Sequence, residues 1–125
     1  MSFLWADYLA VARYLTEHSE SGGHADAFLR SAVSRAYYAA LLTARNLLRD
    51  QWGIEVPEDV EIHYFISQWF LAEDAVERKE VGEWLERLRG RRRMADYDDE
   101  IRNPLSLARI SLFDAQVVVD RVSTL

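Results

Sequence analysis

A chain of 125 residues, half of them apolar, can bury one hydrophobic core without outside help and is too short for a second domain of ordinary size. The absence of cysteine removes disulfides, thiolate metal sites and cysteine nucleophiles together, and fits a reducing compartment. The formal charge is −6, which would repel a nucleic-acid backbone if it were spread evenly; instead Arg87, Arg89, Arg91, Arg92 and Arg93 crowd one seven-residue stretch, and such a patch on an acidic body directs an anion to one place.

The start, Met-Ser-Phe-Leu-Trp-Ala-Asp, has no basic n-region, and no apolar run approaches the ~18 residues of a membrane span, so a cytoplasmic chain without a membrane anchor is expected. Ser2 can cap a first helix running to about His18, with a stripe of Leu4, Tyr8, Val11 and Leu15 widened by Trp5, Leu9 and Ala12. Gly22-Gly23 ends it. The spacing of Leu29, Val33, Ala36, Tyr37, Ala40, Leu41, Ala44 and Leu48 at three and four predicts a longer helix from about Asp26 to Gln51, with Gly53 as its stop. Pro57 suits the first turn of a third, shorter helix in which Val60, Tyr64, Phe65, Trp69 and Phe70 supply bulky apolar contacts.

A fourth helix should begin near Glu77 and turn Val81, Trp84, Leu85, Leu88 and Ala95 inward, which sends most of the arginines elsewhere. Asn103-Pro104 reads as the cap and first position of a last helix carrying Leu105, Ala108, Leu112, Ala115, Val119 and Val122. No segment alternates with period two. The expected fold is therefore an all-α, up-and-down bundle of four to five helices, one domain spanning residues 1–125.

Two features exceed what a core needs. On the long helix, Ser31, Arg35, Tyr38, Leu42, Arg45 and Arg49 lie opposite the Leu29-Val33-Ala40 stripe, and a face mixing large apolar side chains with cations is expected to meet a second subunit or a ligand, unless the last helix buries it. Tyr38 and Leu42 are its candidate dimer contacts. The arginine stretch is the other feature: its plain alternative is a solvated helix face or surface ion pairs with Asp96, Asp98 or Asp99. His63 stands on the third helix among aromatics, where a partly buried, hydrogen-bonded imidazole is the expected reading and an approach to an arginine-lined cleft the alternative. His18 and His24 read as surface residues. No metal-ligand spacing, nucleophile triad or phosphate-cradling glycine loop stands out, so neither metal nor cofactor is expected.

The run Arg30-Ser31-Ala32-Val33-Ser34-Arg35-Ala36-Tyr37-Tyr38-Ala39-Ala40, followed by Ala44-Arg45-Asn46-Leu47-Leu48, resembles a signature of prokaryotic HEPN-domain proteins. Leu88-Arg89-Gly90-Arg91-Arg92-Arg93-Met94-Ala95-Asp96-Tyr97-Asp98-Asp99 resembles that family's second motif, and the pair, in this order, with an opening helix before and a closing helix after, covers nearly the whole chain. The resemblance implies a helical bundle that dimerises, with second-motif arginines meeting across a cleft. It also implies RNA or a nucleotide as ligand, a toxin or effector half of a two-component or defence system, and a minimal nucleotidyltransferase as partner antitoxin. Where activity is retained, the chain would be a metal-independent endoribonuclease. The alternative is a non-catalytic interaction or nucleotide-binding module that docks a nucleotidyltransferase or a larger complex.

Residue by residue, Arg92 matches the motif arginine, while Arg93 stands where asparagine is usual and Tyr97 where histidine is usual. The candidate catalytic set is Arg92, Tyr97 and Asp96, the last placed at i,i+4 to hold the Arg92 guanidinium. Arg89, Arg91, Arg93 and Arg35 are the candidate phosphate or RNA contacts, since the guanidinium fork suits two phosphate oxygens at once. Arginine holds charge but moves no proton, and tyrosine, with a pKa of ~10, is a good donor and a poor base.

Overall fold

The computed structural model describes residues 2–125, and all regular structure among them is helical. A 3-10 turn at Trp5–Asp7 leads into five helices: α1 (Tyr8–Glu17), α2 (Ala25–Asn46, prolonged by a π turn at Leu47–Gln51), α3 (Ile62–Leu71), α4 (Val76–Tyr97) and α5 (Pro104–Ser123). None of them is long and apolar enough to cross a membrane. The all-α bundle expected from the spacing is the fold observed.

α2 is the central element, packed by α1, α4 and α5, while α3 lies chiefly on α4. Its centrality follows from its residues: Ala32, Ala36, Ala39, Ala40 and Ala44 are fully buried and leave room for neighbours on several sides. Larger side chains (Tyr37, Leu41 and Leu48) fill the space between helices, with Phe70 of α3 and Leu85 and Leu88 of α4 against them. Gly53, at φ 67°, reverses the chain after the π turn, where Trp52 N–H donates to the Leu47 carbonyl and Ile54 N–H to that of Leu48. At Gly82 the constraint is space instead. A Cβ there would lie 2.7 Å from Leu71 Cγ and 2.9 Å from the Ser67 carbonyl, so only glycine lets α4 lie this close to the end of α3.

The start of α5 matches its sequence signal: Asn103 Oδ1 accepts from the Ser106 N–H at 3.2 Å and Pro104 occupies the first turn. The end of α4 is held by Arg30 of α2, which sequence spacing does not single out. Its guanidinium donates to the carbonyls of Ala95 (3.0 Å), Asp98 (2.5 Å) and Asp99 (3.2 Å), and Asp26 steadies it at 3.2 Å. A helix C-terminus presents unpaired carbonyls, and one partly buried cation satisfies several of them at once.

Four expectations fail. Ser2 does not cap the first helix; the aromatic rings of Phe3, Trp5 and Tyr8 cluster at 4.8–5.7 Å and the chain enters through the 3-10 turn. The buried side of α1 is consequently Leu9 and Ala12, with Leu4 and Val11 exposed. Pro57 lies in a loop, and α3 begins only at Ile62, after Asp59 accepts from the Glu61 N–H. Val60 and Tyr64 are therefore exposed, 85% and 63% respectively, instead of entering the core.

Candidate anion site

The buried line Val81, Leu85, Leu88 and Ala95 fixes how α4 turns its arginines. At ~100° per residue, Arg91 falls on one flank of that line and Arg92, Arg89 and Asp96 on the other. The two flanks meet different neighbours. Arg91 reaches α5 and pairs with Asp114 at 2.7 Å, both side chains being about seven-eighths covered (16% and 13% exposed). Arg92 instead lies over the two tyrosines of α2, its guanidinium carbon 5.6 Å from the Tyr37 ring centroid and 5.8 Å from that of Tyr38.

Asp96 holds one Arg92 nitrogen at 3.2 Å, as the i,i+4 spacing predicts, and the Arg92 side chain is only 14% exposed. Its Nε, like the Nε of Arg89, is buried without a hydrogen-bond partner among the described residues. A buried donor left unmatched costs on the order of 1–3 kcal/mol, and because both Nε atoms lie beneath the surface, only the terminal guanidinium nitrogens can face a ligand.

α3 closes the flank with His63. Its ring stacks on Tyr37 with centroids 5.6 Å apart and 14° between planes, meets Tyr38 edge-on at 5.9 Å, and its Nδ1 lies 2.6 Å from the Tyr37 hydroxyl. The first reading of His63 made from the sequence thus holds: it is half-buried and hydrogen-bonded. Below it, Ser67 donates to Glu86 of α4 and to the backbone of its own helix, which ties α3 to α4 at this level.

The electrostatics are consistent with this crowding. Burial pushes the Tyr37 phenol well above its ordinary range, the neighbouring Arg89 and Arg92 offsetting only part of that, so the hydroxyl stays protonated. Burial also pulls the His63 imidazole below 6.5, and Arg92 and then Arg89 lower it further. A protonated phenol against a neutral imidazole at 2.6 Å donates to Nδ1, which leaves the ring proton on Nε2.

The remaining candidates are spread more widely. Arg35 lies over the Tyr8 ring at 4.9 Å and lines, with Ser34, Tyr38 and Asp96, a shallow groove that runs past the Arg92 flank. Arg45, on the same α2 face, lies over Trp5 at 5.5 Å. Tyr38 and Leu42 are half-buried and pack against the core, so the apolar content of that face is covered in part from within the chain. Arg93 is exposed. Tyr97 is 75% exposed and, five positions after Arg92, points ~140° away from it around α4. Arg92, Asp96 and Arg89 are thus brought together, Arg91 is turned to α5, and Tyr97 joins neither group.

Sequence reasoning treats Tyr37 as core and misses its role under His63, since 26 residues separate the two and no spacing links them. Comparison of the chain with protein-family models, with curated proteins and with solved structures finds no match.

Proposed function

We propose that the chain is an RNA- or nucleotide-directed helical domain of the HEPN type that grips a phosphate group between Arg92 and Arg89. The observation that carries this reading is the Arg92 guanidinium, set against Tyr37 and Tyr38 and steadied by Asp96, with Arg89 on the same flank of α4. Arginine offers a planar fork to phosphate oxygens, and aromatic faces accept stacked bases, so the two features together suit a nucleotide better than a simple anion. Arg35 and Arg45 extend the cationic character along α2. The sequence resemblance to HEPN proteins points the same way, with a role as toxin or effector half of a two-component system, a two-fold dimer over Tyr38 and Leu42, and a nucleotidyltransferase partner as its corollaries.

A second reading, a module that binds without cleaving, is favoured by one observation: Tyr97, at the position where the motif histidine is usual, faces away from Arg92. Titrating a fluorescent oligoribonucleotide into the protein with chelator present tests the binding claim that both readings share. Arg92→Ala should weaken binding about ten- to a hundredfold, equivalent to losing a charge-assisted contact of roughly 1.5–3 kcal/mol, and Arg92→Lys should restore only part of it. Unchanged affinity in Arg92→Ala would refute the site, and appearance of cleaved RNA in the same tubes would select the enzymatic reading.

A further inference from the structure

Arginines hold a phosphate but do not titrate near neutrality, and the tyrosine at position 97 stands off the site. The titratable group that does reach the site comes from a different helix. Three observations place it there: the Nδ1 of His63 is fixed by the Tyr37 hydroxyl at 2.6 Å, its ring stacks on the tyrosine that Arg92 also covers, and Arg92 and Arg89 are the charges acting on it. With Nδ1 engaged by Tyr37, the Nε2–H is the donor left for a ligand.

Resting on the reading of this flank as a phosphate site, we infer that His63, presented from α3 on the Tyr37 hydroxyl, is the third ligand of the phosphate held by Arg89 and Arg92 and takes up a proton when that phosphate binds. The coupling follows from the charges around the ring. Without a ligand, Arg89 and Arg92 of α4 oppose a positive imidazole. Glu86 of α4 is engaged by Ser67 and Asp96 by Arg92, while burial keeps the Tyr37 hydroxyl of α2 protonated. Glu61, at the exposed start of α3, is the remaining nearby carboxylate on the histidine's own helix. A phosphate between the arginines cancels their repulsion and adds a negative charge beside Nε2, so it favours imidazolium; Nδ1–H then donates to the Tyr37 oxygen, whose hydroxyl hydrogen rotates away. Proton uptake and anion binding are linked, each strengthening the other by the same factor.

The experiment follows the His63 ring signals by NMR in the whole chain as pH is varied, with His18 and His24, both exposed, as internal references. Oligouridylate without a terminal phosphate is the first probe, because neither its diesters nor its bases change charge between pH 5 and 8; inorganic sulfate is the second. Saturating oligouridylate should move the His63 midpoint up by about one pH unit and leave the other two in place, and its affinity should tighten about tenfold on going from pH 7.5 to well below the free midpoint. Arg92→Ala should abolish the shift, and His63→Gln should bind with an affinity independent of pH. If oligouridylate binds in an Arg92-dependent way while the His63 midpoint stays put, the inference is overturned and the RNA reading stands. If oligouridylate does not bind but sulfate moves the midpoint through Arg92, the RNA reading falls and the histidine's role at an anion site stands. The ring titration needs no variant of His63 itself, so a folding defect in His63→Gln would not decide the matter.

Discussion

The two flanks of α4 put the same side chain to different uses within two residues. Arg91 meets a carboxylate on α5, both partners are largely withdrawn from water, and the pair closes α4 onto α5. Arg92 meets two tyrosine rings and a more exposed aspartate, and its Nε, like that of Arg89, has no partner among the described residues. A guanidinium neutralised by a buried carboxylate is committed to the fold: its net contribution is small because desolvation offsets attraction, but removing one partner strands the other. Arg92 pairs with a carboxylate too, but that carboxylate is the more exposed and the contact longer, and the rings beside the guanidinium orient the cation without neutralising it. Charge density alone therefore does not define the site; what each arginine packs against does.

The largest way to break this arrangement lies at the level where α3 approaches α4. Gly82→Val would press a side chain into Leu71 and the Ser67 carbonyl, and as the second contact is backbone, relief requires α3 to move and take His63 with it. A loss near the top of the roughly 1–3 kcal/mol range for overpacking is expected in urea unfolding, together with loss of the His63 to Tyr37 hydrogen bond. Next in size, Arg91→Ala should cost about 1.5–3 kcal/mol of stability by stranding Asp114, and leave RNA affinity within about twofold of the parent. If Arg91→Ala instead abolished binding in a folded protein, the division between the two flanks would be wrong.

A smaller effect sharpens the contrast through pH. The His63 pKa is lower in the folded chain than the ordinary 6.5, so the unfolded chain binds more protons in the interval between the two values. Stability is fully present above pH 6.5 and declines as the pH falls toward the folded-state midpoint. In denaturant melts at pH 7.5 and 5.5, His63→Gln should flatten this decline compared with the parent chain. An identical pH dependence in both would show that His63 is not held neutral in the fold.

Much of this molecule can be read from apolar spacing. The helices α2, α4 and α5 follow from residues repeating at three and four, and Asn103-Pro104 marks the start of α5 because a cap is a local device. Local signals mislead where tertiary contacts decide: Pro57 could open a helix, yet the chain stays irregular until Ile62, and the Phe3-Trp5-Tyr8 cluster, not Ser2, sets the entry to α1. In the site, the pairing of Asp96 with Arg92 is legible because it is an i,i+4 relation. The sorting of Arg91 from Arg92 is not, since it depends on Asp114, 23 residues away, and on which helix lies to each side of α4. The same holds for Arg30, whose partners lie 65 to 69 residues on.

The most direct test compares two double variants that remove equal charge from one helix. Arg89→Gln with Arg92→Gln empties the α2–α3 flank, whereas Arg87→Gln with Arg93→Gln removes two exposed cations. Both are titrated with the same oligoribonucleotide at 50 and 200 mM salt, after thermal melts confirm that they fold. The first pair should lose binding by at least tenfold at both salts, and the second should show a modest loss at low salt that fades at high salt, as screened surface charges do. Equal losses from the two pairs, vanishing together as salt rises, would show a diffuse basic patch and no site at Arg92.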